Sequence, residues 1–95
     1  MFEEGESVTV NPQQGPIGEE FRFSAEGFTP YTLLKASIIG PSGQTIINKD
    51  RMTDEQGRIN LVELTDSWSR GTYTFKVIGK SSNKEKTVEG KFELI

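Results

Sequence analysis

Glu20-Phe21-Arg22-Phe23-Ser24-Ala25-Glu26-Gly27-Phe28-Thr29-Pro30 is the stretch that decides the fold class. Phe21, Phe23 and Ala25 alternate with Glu20, Arg22 and Ser24. A period of two places one set on a buried face and the other in water. A helix would need apolar residues three and four apart instead. Gly27-Phe28-Thr29-Pro30 then turns the chain, because glycine opens the left-handed region and proline removes a ladder donor.

The same alternation recurs on both sides. Upstream, Val8 and Val10 form a first strand stopped by Asn11-Pro12, and residues 12–18 are dense in turn formers. Ile17 in that loop is expected to tuck under one end of the core. Downstream, Leu34, Ala36 and Ile38 make the next inward set, with Leu33 and Ile39 on the opposite face. Gly40-Pro41-Ser42-Gly43 reads as a hairpin turn, with a short return strand over Gln44 to Asn48. Lys49 to Asp54 reads as a polar connection, and Gly57 supplies the positive φ of a tight turn. Ile59, Leu61 and Leu64 are expected inward on the following strand, with Val62 opposite. Thr65 to Ser69 is a crossing loop that holds Trp68. Tyr73, Phe75 and Val77 alternate with Thr72, Thr74 and Lys76, Gly79 to Lys86 reads as a polar turn, and Val88, Gly90, Phe92 and Leu94 complete a last strand.

About seven short strands with turn signals every 8 to 12 residues predict an all-β, immunoglobulin-like two-sheet antiparallel β-sandwich. An up-and-down barrel would want more uniform hairpins than the long connections at 12–18 and 65–71. The expected core sets Phe21, Phe23, Leu34, Ala36 and Ile38 against Ile59, Leu61, Tyr73, Phe75, Val77 and Phe92.

The 95 residues suffice for one domain, 1–95, which reads as a module of a larger multidomain protein. With no cysteine, neither a disulfide nor a thiolate metal site can staple it. The net charge of −3, without a basic run, argues against nucleic acid as a partner. No stretch approaches the roughly 20 apolar residues of a membrane-spanning helix. Charge is unevenly spread: residues 1–30 carry six Glu against Arg22, whereas residues 70–95 carry six cations against three Glu. Side-by-side first and last strands with complementary faces would account for this. Attraction between opposite ends of modules in a tandem array is the other reading.

The order of turns resembles that of bacterial immunoglobulin-like repeat domains, and macroglobulin-type domains look similar. It is carried by Val8-Thr9-Val10-Asn11-Pro12, Gly15-Pro16-Ile17-Gly18, Gly27-Phe28-Thr29-Pro30, Gly40-Pro41-Ser42-Gly43, Thr53-Asp54-Glu55-Gln56-Gly57 and Gly71-Thr72-Tyr73. The resemblance covers essentially the whole chain. It implies a structural or spacer module of an exported or cell-surface protein, extracellular, and monomeric in isolation. It also places Tyr73 where such folds put a tyrosine whose hydroxyl bonds upstream backbone. Some surface domains of this kind carry an intramolecular Lys–Asn bond, but residues 88–95 hold no Asn.

Catalysis has little to work with. The chain has no His or Cys, and its carboxylates show no converging spacing, so it reads as no enzyme and as needing no cofactor. Asp50, Asp54 and Glu55 are hard oxygen donors near a turn, but calcium wants about 6 to 8 oxygens and the spacing is not that of a dedicated loop. Trp68, beside Ser67, Ser69 and Arg70, has two readings: a plug at one end of the sandwich, or a platform for carbohydrate or a protein partner. Tyr31 is the second candidate contact, with Phe28, at a loop tip facing the next domain. Proximity of an exposed Trp68 to Tyr31 would favour binding, and burial of Trp68 would favour a spacer. Ile39, Ile47 and Val62 would form an apolar patch if they shared one sheet face.

Overall fold

Each alternating stretch becomes a strand. The computed structural model describes residues 5–81 and 83–95, which form β1 (Ser7–Asn11), β2 (Gln14–Gly15), β3 (Glu20–Glu26), β4 (Leu33–Ile39), β5 (Thr45–Met52), β6 (Ile59–Leu64), β7 (Gly71–Ser81) and β8 (Lys84–Leu94). Two sheets result, one ordered β1-β3-β6 and the other β2-β8-β7-β4-β5. All pairings are antiparallel except β2 with β8, where Gln14 and Gly15 run parallel to Glu93 and Leu94.

The inward residues are those the alternation marks, but their grouping differs from expectation. Register pairs Phe23 with Leu61 and Ala25 with Ile59, so Phe21 and Phe23 share the small sheet with Ile59 and Leu61. Leu34, Ala36 and Ile38 lie on the large sheet with Tyr73, Phe75, Val77 and Phe92. Periodicity fixes which face a residue takes, whereas sheet membership depends on non-local pairing. The sheets meet through rings: Phe23 lies 4.9 Å from Phe75 and 5.1 Å from Phe92, and Phe21 lies 5.3 Å from Phe92, in tilted or edge-on contacts. Val10, Phe28 and Leu94 complete the buried set.

Several local expectations are corrected. Ile17 is 38% exposed and Leu64 60% exposed, so neither enters the core. Leu64 pairs with Glu20, on the outward side of a strand whose inward positions are Ile59 and Leu61. The return strand β5 continues through Lys49 to Met52, because edge strands tolerate polar residues on both faces. The supposed polar turn over 79–86 is mostly strand, with β7 and β8 paired out to Ser81 and Lys84. Residues 12–18 contain β2, which is too short to show a period. The first and last long strands are not neighbours: β1 pairs with β3, and it faces β8 across the sandwich. Gly90 makes that approach possible, because a Cβ there would stand 2.8 Å from Cγ2 of Val8. Ile39, Ile47 and Val62 form no common patch. Val62 is on the small sheet, while Ile39 and Ile47 are one residue out of phase across β4 and β5.

The flank where β5 and β6 end their sheets is closed by a charge pair. Lys49 Nζ donates to Glu63 Oε2 at 2.7 Å, joining the two sheets. Both side chains sit at inward-facing registers, opposite Ala36 and Phe21. Inward charges also discourage another strand from adding to either edge.

Candidate functional site

Antiparallel strands sort the loops to two ends. Residues 12–19, 40–44, 65–70 and Ile95 lie at one end. Gly5, Glu6 and residues 27–32 and 53–58 lie at the other, with the β7–β8 turn. Trp68 belongs to the first end and Tyr31 to the second. The structure does not bring these two candidates together.

The Trp68 end is organised by a buried threonine. Thr65 Oγ1 donates to the carbonyl of Glu19 and accepts the N–H of Gly18, both at 2.9 Å, tying the β6–β7 loop to the turn before β3. The Trp68 N–H donates to the Thr65 carbonyl at 3.1 Å. Five residues on, the Tyr73 hydroxyl donates to the carbonyl of Ser69 and accepts the Ser69 N–H at 3.1 Å. This upstream backbone bond is the one the resemblance implies for Tyr73. It fixes the loop against the first residues of β7.

On that frame the indole of Trp68 stacks on Tyr73 at 5.4 Å and 27°, and Tyr73 stacks on Phe92 at 5.3 Å and 21°. Trp68 is half-buried and forms the outer rung of a ladder of rings that begins in the core. Between its loop and the β4–β5 hairpin lies an open cleft of about 300 Å³. Trp68, Tyr73, Pro41 and Ile46 supply apolar walls, and Ser42, Gln44, Ser67 and Ser69 supply polar groups. Among the described residues, no carboxylate, amine or guanidinium side chain lines it.

The Tyr31 end is built differently around a second buried threonine. Thr53 Oγ1 donates to the Thr29 carbonyl at 2.8 Å and accepts the Thr32 N–H at 2.9 Å. The Thr53 N–H donates to the Thr32 carbonyl at 2.9 Å. This clamp holds Tyr31 at φ 58°, a left-handed conformation unusual for a bulky residue. Tyr31 is 65% exposed. Phe28, expected beside it at the loop tip, is instead buried in the core. Leu33 and Met52, paired across β4 and β5, are also exposed next to this end. Thr53 and Thr65 are the organising residues that the sequence reading passed over. Their one signal is a threonine just after a strand, which is also what an ordinary loop contains.

Of the acidic residues considered for calcium, Asp54 has its carboxylate engaged elsewhere. Asp54 Oδ1 accepts the N–H groups of Gln56 and Arg58, each at 2.9 Å, and closes the turn in which Gly57 adopts φ 75°. The Arg58 N–H, foremost, holds this carboxyl below its usual range. Asp50 pairs in register with Lys35 on the outer face. Among the described residues, no group of three potential ligand side chains clusters as a metal site would require. Among them, too, no helix is long and apolar enough to cross a membrane.

No protein-family model matches the chain, and no curated protein matches it.

Proposed function

We propose that the chain is a non-catalytic, immunoglobulin-like spacer module of an exported or cell-surface bacterial protein, with neighbouring domains of the same chain as its partners. The strand order supports the immunoglobulin-like reading. The first strand region divides between the sheets as β1 and β2, β3 and β6 form the small sheet, and β8, β7 and β4 form the large one. Tyr73 near the start of β7, bonded to upstream backbone, adds to it. The bacterial surface assignment rests on the resemblance in the order of turns.

One observation carries the spacer reading. The backbone comes in beside Gly27, where Gly5 packs, and leaves beside Gly15, where the Ile95 N–H donates to its carbonyl at 2.9 Å. The strand order puts these positions at opposite ends of the strands, in a body whose extents are 39 × 27 × 22 Å. A domain built this way extends a chain instead of folding it back. The path is also suited to tension. Bonds from Glu93 and Ile95 to Gln13 and Gly15 cross between parallel strands, so pulling the ends apart loads them together in shear.

Single-molecule pulling through the two ends tests this directly. The expected result is one cooperative rupture that releases the whole chain; stepwise peeling at the lowest resolvable forces would contradict a spacer role. Proteolysis of intact producing cells tests the location, with cleavage expected while the cells remain sealed.

A further inference from the structure

We propose that the cleft beside Trp68 is a subsite for a neutral sugar ring, a binding activity beyond the spacer role and independent of it. The chemistry of the walls carries the inference. A pyranose has a C–H-rich face and a rim of hydroxyls. It therefore needs a flat apolar platform bordered by uncharged groups that both donate and accept.

The cleft has both parts. Trp68, backed by the buried ring of Tyr73, offers the platform, and Pro41 and Ile46 continue the apolar wall. Ser42, Ser67 and Ser69 offer hydroxyls. Ser42 Oγ donates to Gln44 Oε1 at 2.8 Å, which occupies the amide oxygen and leaves the Gln44 NH₂ to donate outward. The Ser67 hydroxyl and the indole N–H of Trp68 have no protein partner among the described residues, and no buried side-chain polar atom lacks one. The absence of charge on the lining disfavours phosphate, sulfate or uronate groups, which would be desolvated without a counter-ion.

The platform is fixed before any ligand arrives. The Tyr73 hydroxyl is held by both backbone groups of Ser69, and the backbone N–H of Trp68 is held by the Thr65 carbonyl. Little ordering is left for binding to impose. At about 300 Å³ the cleft is at the small end of ligand pockets, suited to one or two rings at a chain end. An isolated contact of this size gives weak affinity, with Kd on the order of 1 mM.

The test is an amide and indole NMR titration of the intact chain with cellohexaose, xylohexaose, maltohexaose and chitohexaose, each to about 10 mM, several times the expected Kd. Polygalacturonate and a proline-rich peptide serve as comparison ligands. The expected result is saturable shifts for at least one neutral oligosaccharide, centred on the Trp68 indole N–H and on residues 40–46 and 67–69, with Tyr31 unmoved. Trp68→Ala should weaken that binding more than about tenfold. Gln44→Ala and Ser67→Ala, both at exposed positions, should each weaken it about threefold to tenfold. No saturable shift with any of the four sugars overturns the proposal. So does binding of only the polyuronate or the peptide, shifts centred elsewhere, or sugar binding indifferent to Gln44→Ala and Ser67→Ala.

Discussion

The two ends of this sandwich each hold one conspicuous loop aromatic and one buried threonine, yet they use them in opposite ways. At one end Thr65 ties two loops together, and Trp68 continues the core outward through Tyr73 and Phe92. At the other, Thr53 clamps a turn that holds Tyr31 away from the protein on left-handed backbone. A loop aromatic thus takes its role from whether a core ring stacks on it. Tyr73 reaches the floor of the Trp68 loop. Among the described residues no ring stacks on Tyr31, and Phe28 of the same turn packs into the core instead.

The comparison can be broken from the middle outward. Phe23 and Phe75 join the sheets and serve both ends alike, so Phe23→Ala or Phe75→Ala should cost about 3 to 5 kcal/mol in chemical denaturation. A soluble, cooperatively folding mutant at 37 °C would show that the core is wrongly assigned. Next come the two aromatics themselves. Trp68→Ala should cost about 2 kcal/mol, below the value for a fully buried ring, whereas Tyr31→Ala should stay within about 0.5 kcal/mol. Equal losses would abolish the distinction between the ends.

The threonine clamps sharpen it. Thr53→Val keeps the shape but strands the Thr32 N–H and leaves the Thr29 carbonyl with the Thr32 hydroxyl alone, so a loss of about 1 to 3 kcal/mol is expected. Tyr31→Gly should change sign relative to most loop substitutions and stabilise by up to about 1 kcal/mol, because it relieves left-handed strain at the clamped position. Thermal melts of the two variants, alone and combined, should be non-additive, since the strain exists only while the clamp holds it.

The smallest effect is electrostatic. Asp54 has a carboxyl held below its usual range by backbone N–H donors, so its contribution is complete above the unfolded-chain value and is lost as pH falls through the depressed folded one. Asp54→Asn keeps an acceptor oxygen but cannot titrate. Its stability profile below about pH 4 should therefore be flatter than that of the parent chain.

Which residues point inward was largely legible in the sequence, because a period of two is a local property. Phe21, Phe23 and Ala25 on β3 and Tyr73, Phe75 and Val77 on β7 needed no tertiary information. Which sheet each strand joins was not legible: Phe23 meets Leu61 across 38 residues of chain, and nothing near either one records it. Strand ends were blurred for the same reason. Polar residues over 49–51 and 84–86 look like turns, but an open edge on β5 and along most of β8 lets them pair with one neighbour while both faces stay exposed. At the candidate site, Trp68 and Tyr31 stood out by composition, whereas Ser42, Gln44 and Pro41 reach Trp68 only through the β4–β5 hairpin. No spacing rule links residues 41–44 to 68.

A spacer requires the chain to run from one end of the sandwich to the other. Glu6 sits beside Ser81, whose hydroxyl holds its carboxyl below the usual range, and Lys86 is also close to it. From Lys86 the chain runs along β8 to Ile95. Nine strand residues at about 3.3 Å each separate the two points by about 30 Å. Spin labels at Glu6→Cys and Ile95→Cys, read by pulsed electron resonance, measure that separation. A narrow distribution centred near 30 Å, plus linker length, is the predicted result. A centre below about 20 Å would put both ends of the chain on one side and contradict the spacer reading.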